Sequence, residues 1–193
     1  MRKFIVSEFY SLDGVIQAPG GIDEDTDGDF KLGAWTIPYW HDDIGYHFME
    51  VVKGCDAFLL GRKTWETHGR AFNNLPAGDP FGDVMNNMQK YVVSTTLKSS
   101  ELWRNSKIIK NNLVDEVTKM KKSSGKNIYL DGSSVLAHAL FENNLVDEVT
   151  VLVYPIVLGE GKRLFPSGYH ANLKLQENKV FPSGVVLLRY SLN

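Results

Sequence analysis

The sequence predicts an α/β fold: a mostly parallel central sheet with helices on both faces and an antiparallel C-terminal edge. Three observations predict it. Short apolar runs alternate with amphipathic segments along the chain, the pattern of strands joined by crossover helices. Several apolar runs stop at a glycine or a hydroxyl residue, as buried strands do where they enter a loop. The last two β-rich runs are joined by Pro182-Ser183-Gly184, a tight turn rather than a helix.

Residues 4–10 (FIVSEFY) read as the first strand. Residues 11 to about 38 follow as a long Gly- and Asp-rich loop, with Asp13-Gly14, Pro19-Gly20-Gly21 and acids from Asp23 to Asp29. Loops of that length in a compact domain are usually functional. Residues 41–53 read as a helix, because Ile44, Phe48, Val51 and Val52 recur at helical spacing. Residues 57–60 (AFLL) form a buried strand that ends at Gly61, and a helix begins over 64–67. A loop covers 73–82, a short helix 83–89, a buried strand 91–94 and a shorter strand 107–109. Residues 112–122 are predicted helical, 127–130 a strand, 133–142 a helix and 149–157 a strand. Strands at 173–180 and 184–192 complete the chain.

The octapeptide NNLVDEVT occurs twice, at 111–118 and 143–150. The first copy runs into Lys119-Met120-Lys121-Lys122, good helix formers. The second follows a helix end and runs into Val151-Leu152-Val153-Tyr154, strong strand formers. Context therefore predicts helix for the first copy and turn then strand for the second.

Composition narrows the function classes. The chain has 193 residues, which suits one domain spanning 1–193, and a net charge of -2 gives no electrostatic case for nucleic acid or an anionic membrane. The single cysteine, Cys55, can neither form an internal disulfide nor contribute to a Cys cluster for zinc, and its apolar neighbours read as core. No metal site is expected. The N-terminus lacks the apolar run of a secretory signal, and nothing approaches a membrane span, so a cytoplasmic protein is expected.

Three strand ends could carry chemistry. In Gly61-Arg62-Lys63-Thr64 a glycine permits close backbone approach. Thr64 could cap the following helix, whose free amides attract anions, and two cations reinforce them. A solvated basic turn would show the same residues. Gly132-Ser133-Ser134-Val135 repeats the logic, placing amides toward a diphosphate, although an ordinary capped connection would look alike. Ser94 and Thr95 end a third strand and could line a ribose. Two anion-binding ends in one small sheet suit a dinucleotide, since ligands of open α/β sheets bind at the carboxyl ends of strands. No Gly-x-Gly-x-x-Gly or Walker loop is present.

Together these segments resemble the dihydrofolate reductase superfamily, over most of the chain. The closer resemblance is to stand-alone bacterial proteins akin to the reductase domain of the riboflavin-biosynthesis deaminase-reductase. It is carried by Ser11-Leu12-Asp13-Gly14, Gly33-Ala34-Trp35, Pro38-Tyr39 and residues 155–165 (PIVLGEGKRLF). The zinc-deaminase half is absent, as neither His-x-Glu nor Cys-x-x-Cys occurs. The resemblance implies a dihydrofolate-reductase-like three-layer fold. It also implies an NADPH-dependent oxidoreductase acting on a small pterin- or pyrimidine-like heterocycle, either 5-amino-6-(5-phosphoribosylamino)uracil reductase-like or a true dihydrofolate reductase. A non-catalytic nucleotide-binding module of the same fold is the alternative. Gly61, Arg62, Lys63, Thr64, Ser94, Thr95, Gly132, Ser133, Ser134 and Val135 are the implied cofactor contacts, with Phe9, Val15 and Ile16 beside the nicotinamide. Arg62 and Lys63 favour NADPH, while Thr95, where folate reductases often carry Arg, leaves NADH open.

For the substrate acid, Asp43 near the start of the helix and Asp13 in the loop are the candidates. Asp42 and Asp43 would equally serve as helix-dipole partners, Asp43 could pair with His47, and Asp13-Gly14 could simply form a turn. Trp35, Tyr39, Trp40 and Tyr46 could stack a flat ring or pack a core. Lys162 and Arg163 could hold a substrate phosphate, and the resemblance allows a homodimer.

Overall fold

The computed structural model describes residues 1–192. All eight strands join one sheet in the order β4-β3-β2-β5-β1-β6-β8-β7. The strands are β1 (Phe4–Ser11), β2 (Cys55–Gly61), β3 (Gln89–Val93), β4 (Ser106–Ile109), β5 (Asn127–Leu130), β6 (Glu148–Tyr154), β7 (Leu173–Val180) and β8 (Val186–Leu192). Neighbours from β4 through β6 pair in parallel, whereas β8 runs antiparallel to β6 and to β7. The expected α/β class, mostly parallel sheet and antiparallel C-terminal edge are therefore present.

Alternation along β1 shows how the sheet is covered. Phe4 and Val6 join one apolar cluster with Leu59, Ile128 and Leu130, sealed by α4 (Leu113–Lys122) and α5 (Ser134–Glu142). Ile5 faces the opposite cluster with Phe58, Leu60 and Tyr129, sealed by α1 (Asp42–Lys53), α2 (Arg62–Phe72) and α3 (Pro80–Asn87). Successive strand residues point to opposite faces, so both faces of this parallel sheet are buried. A third cluster around Trp35, Tyr154 and Phe181 packs the long loop against β6 and β8. No helix among the described residues is long and apolar enough to cross a membrane.

The duplicated octapeptide divides as expected. Its first copy enters α4 from Asn112, which sits in the left-handed region, and its second turns and then pairs in β6 from Glu148. Several element ends differ from expectation. The helix after Gly61 starts at Arg62, because Gly61 ends β2 in extended backbone and is itself the cap. Thr64 thus lies inside the first turn and does not cap it. The third helix starts at Pro80, not residue 83. Asp79 accepts from the Gly82 amide at 2.7 Å, and proline fills the first turn, where its missing N–H costs nothing. Gln89 belongs to β3, and β6 stops at Tyr154 before Pro155.

Candidate active site

A cavity of about 610 Å³ opens where the carboxyl ends of β1, β2 and β5 meet the loop after β1. Its two helical rims are α2 and α5, and glycines set their separation. A methyl group on Gly61 would lie 2.4 Å from Ser133 Oγ, and one on Gly132 would lie 3.0 Å from Thr64 Oγ1. Gly132 also has a φ of 124°, a conformation that side chains rarely adopt. The starts of α2 and α5 are thus packed edge to edge, and each presents the unpaired amides of a first helical turn.

Of the cofactor candidates, Phe9, Ile16, Lys63, Thr64, Gly132, Ser133 and Ser134 all line this cavity. Gly61 stands behind Ser133 as its spacer. The other candidates lie elsewhere. Arg62 turns back to Glu66 at 3.1 Å. Ser94 and Thr95 follow Val93, the register partner of Gly61, and so lie on the same rim beyond the cavity. The Ser94 hydroxyl is occupied by the amides of Thr96 and Leu97. Val15 is buried away from the cavity, bridged to Arg163, and Val135 is 74% exposed.

Neither acid singled out from sequence lines the cavity. Asp43 sits at the start of α1 beside its cap, His41, with 3.7 Å between carboxylate and ring; His41, not His47, is its neighbour. Asp13 shapes the loop. Its carboxylate accepts from the amides of Leu158 at 3.0 Å and Gly159 at 2.8 Å, and from the Ser11 hydroxyl. These bonds, that from Leu158 foremost, lower its pKa to about 2. Its folded pKa lies below the ordinary value, so its stabilisation is present above about pH 4 and disappears as pH falls toward 2. Asp13→Ala is expected to cost about 2–3 kcal/mol in urea unfolding at pH 7 and much less near pH 2.

Lys162 and Arg163 are also engaged. Lys162 pairs with Asp25 and, at 2.8 Å, with Asp27, while Lys63 pairs with the other oxygen of Asp27. Arg163 donates to the Asp13 carbonyl. These contacts, with the Gln17 side chain donating to the carbonyls of Asp25 and Asp27, fasten the acidic loop along the cavity. The stacking surface differs from expectation as well. Trp35 is buried, donating to the Gln17 carbonyl at 2.8 Å, and Trp40 and Tyr46 face solvent. The cavity instead has Phe9 and Phe48, stacked with centroids 6.1 Å apart.

Among the polar residues lining the cavity that were not singled out from sequence are Glu8, His68 and Asp131. Glu8 is 7% exposed, and its Oε1 has no hydrogen-bond partner. Burial, then the Asp131 and Glu24 carboxylates, push its pKa well above the usual carboxylate range. His68 Nε2 lies 3.1 and 3.2 Å from the two Asp131 oxygens. Burial alone would lower the His68 pKa, but Asp131 outweighs it and leaves it raised. An acid inside an otherwise apolar strand was a usable signal for Glu8; nothing local marks His68, which α2 brings to Asp131 across 63 residues.

The mixed sheet and the paired helix starts define an α/β protein of dihydrofolate-reductase-like fold. Dihydrofolate reductase from Enterococcus faecalis, solved in complex with NADP(H) and RAB-propyl, is similar at a TM-score of 0.63, 16% identity and coverage of 99% and 96% of the two chains. The chain belongs to the RibD C-terminal domain family, whose model matches residues 2–187. YyaP of Bacillus subtilis (strain 168), an uncharacterized protein, is 32% identical over all of this chain and 96% of its own length. A Shewanella sp. PV-4 protein assigned provisionally to riboflavin biosynthesis has a TM-score of 0.71, 20% identity and 99% coverage of both chains. A pyrimidine reductase-like protein from Corynebacterium diphtheriae has a TM-score of 0.62 and 13% identity, covering 100% of this chain and 92% of its own.

Proposed function

We propose that this protein is an NAD(P)H-dependent reductase that transfers a hydride to a small nitrogen heterocycle. The observation that carries the reading is the contact between the starts of α2 and α5, held by Gly61 against Ser133 and Gly132 against Thr64, beside a cavity with a buried acid. Family membership supports the same class.

The residues fit a dinucleotide. The two glycines let the starts of α2 and α5 pack directly on each other, Gly61 against Ser133 and Gly132 against Thr64, so the first-turn amides of both helices would lie within reach of one diphosphate. When bound, the cofactor supplies the hydride. Amides at the first turn of α2 and at Ser133 and Ser134 would hold its phosphates, and Lys63 adds positive charge. Phe9 and Ile16 offer apolar surface to the nicotinamide. Glu8, whose burial and neighbouring carboxylates favour its protonated form, would offer a proton at the substrate's heteroatom, in a cavity that limits competing water. His68 would keep Asp131 charge-balanced and oriented. A true dihydrofolate reductase would need a carboxylate for the pterin, and Asp13, Asp42 and Asp43, the acids considered for it, all lie outside the cavity.

Lys63→Ala tests the cofactor assignment. NADPH affinity is expected to fall about tenfold or more and NADH affinity less than about threefold, read by titration of nicotinamide fluorescence. Equal losses would remove Lys63 from the ribose phosphate. Oxidation of NADPH with a panel of pterins and pyrimidines tests turnover; binding without oxidation of any would favour a nucleotide-binding module.

A further inference from the structure

Asp131 poses an electrostatic problem for the helical rim. It directly precedes Gly132, Ser133 and Ser134, and all four line the cavity. A carboxylate beside amides that attract anions would repel a diphosphate seated on them. The opposing charge comes from α2. His68 Nε2 lies 3.1 and 3.2 Å from the two Asp131 oxygens, and the two side chains are only 18% and 12% exposed. Thr64 and His68 stand one turn apart on α2 and meet the adjacent residues Gly132 and Asp131, so the ion pair continues the contact between the helix starts. Phe58, Phe72 and Trp103 pack around the His68 ring, with centroids 6.0, 5.3 and 6.2 Å away, and fix its direction.

We infer that His68 is a positioning residue for the dinucleotide: in its charged form it neutralises Asp131 and fastens α2 to the start of α5, so cofactor affinity depends on the His68 proton. The charged groups that act on the ring are Asp131, from the β5–α5 connection, and Glu24, from the loop after β1. β2, the β3–β4 connection and the end of α2 bring the uncharged Phe58, Trp103 and Phe72. Glu8, on β1, acts on Asp131's side of the pair and favours its own protonated form there. Burial disfavours the charged ring, Asp131 and then Glu24 favour it, and the balance raises its pKa above the ordinary histidine value of about 6.5. The charged pair is therefore present below that raised value and is lost as pH climbs through it. Losing the proton would leave a bare carboxylate at the diphosphate. By linkage, a bound dinucleotide would hold the His68 proton more tightly.

This role for His68 rests on the reductase reading, because it takes a dinucleotide as the ligand. NADPH and NADH are titrated by nicotinamide fluorescence between about pH 6.5 and about pH 9, with NADH as the control that lacks the titrating ribose phosphate. Both should bind about tenfold or more weaker at the high end of the range. Asp131→Asn removes the charge to be neutralised, so its affinity should vary by less than about threefold across the range and exceed that of wild type at the high end. His68→Gln leaves Asp131 uncompensated and should bind about tenfold weaker than wild type at the low end, with no further fall. The double variant, neutral at both positions, should return to within about threefold of wild type at the low end. Lys90, whose pKa is lowered to about 7, is intact in every variant and cannot produce these differences. In the free protein, the His68 ring protons followed by NMR should titrate above the ordinary value in wild type and below it in Asp131→Asn, where burial is the larger effect left.

Affinity for both dinucleotides that ignores pH, or the same slope in Asp131→Asn as in wild type, overturns this role and leaves the reductase reading standing. A wild-type His68 that titrates below the ordinary value overturns it equally. Binding of neither dinucleotide at any pH removes the reductase reading and this role together. Should melting temperatures show that a variant does not fold, the wild-type slope and the wild-type His68 titration, which need no substitution, still decide between these results.

Discussion

Gly61→Ala is expected to weaken NADPH binding by about thirtyfold or more and to destabilise the fold by about 1–3 kcal/mol. Backbone conformation is not the reason, because Gly61 has a φ of -70°, which alanine tolerates. Space is the reason. The new methyl group would sit 2.4 Å from Ser133 Oγ and 3.1 Å from Ser133 Cβ, at the residue that opens α5. Rotating the hydroxyl relieves only the first contact, so α5 must move away from α2 and the two sets of amides separate. The clash has a named partner, which makes the prediction specific. Ser133→Ala in the same chain removes the nearer atom and should restore about 1 kcal/mol or more of stability, a coupling measurable in a double-mutant cycle. Additive effects would mean that the two helix starts do not meet.

Lys90→Met should destabilise the protein by about 2–4 kcal/mol with little effect on cofactor binding. Lys90 is in β3 and fully buried, which is rare for lysine. Its Nζ donates to the carbonyls of Met85 and Asn86 at 2.9 Å each and lies 4.6 Å from the Trp103 ring centroid. It thereby satisfies the last turn of α3, where a cation is favoured by the helix dipole. Asn86 continues the network, accepting from Trp103 Nε1 at 2.7 Å and donating to the Phe72 carbonyl. Methionine fills the volume but leaves the Met85 carbonyl without its donor. Burial, reinforced by Arg104, lowers the lysine pKa to about 7. Between pH 7 and the ordinary lysine value of about 10.4, unfolding therefore takes up a proton, and wild-type stability should rise with pH across that window. The methionine variant should lack this rise in urea titrations.

The fold was largely legible because local signals agreed with it. Glycines and hydroxyl residues marked the carboxyl ends of β2 and β5, and the flanks of the octapeptide decided between helix and strand where the repeated residues could not. Errors fell at element ends. Thr64 looked like a cap, yet Gly61 lets the chain pass from strand to helix without one. The helical rim of the site was legible for the same reason as the strands. Its acids were not, because Asp13 and Asp43 carry the sequence context of sites but serve a turn and a helix start. Glu8 carried a local signal, as an acid within an apolar strand, but the His68–Asp131 pair owes its position to the packing of α2, which no local pattern encodes.

The most direct test of the paired helix starts is a crystal structure of the protein with NADPH. The diphosphate should contact both the first-turn amides of α2 and the amides of Ser133 and Ser134, with the nicotinamide beside Phe9 and Glu8. A diphosphate touching only one of the two helix starts, or lying outside the cavity, would contradict the account.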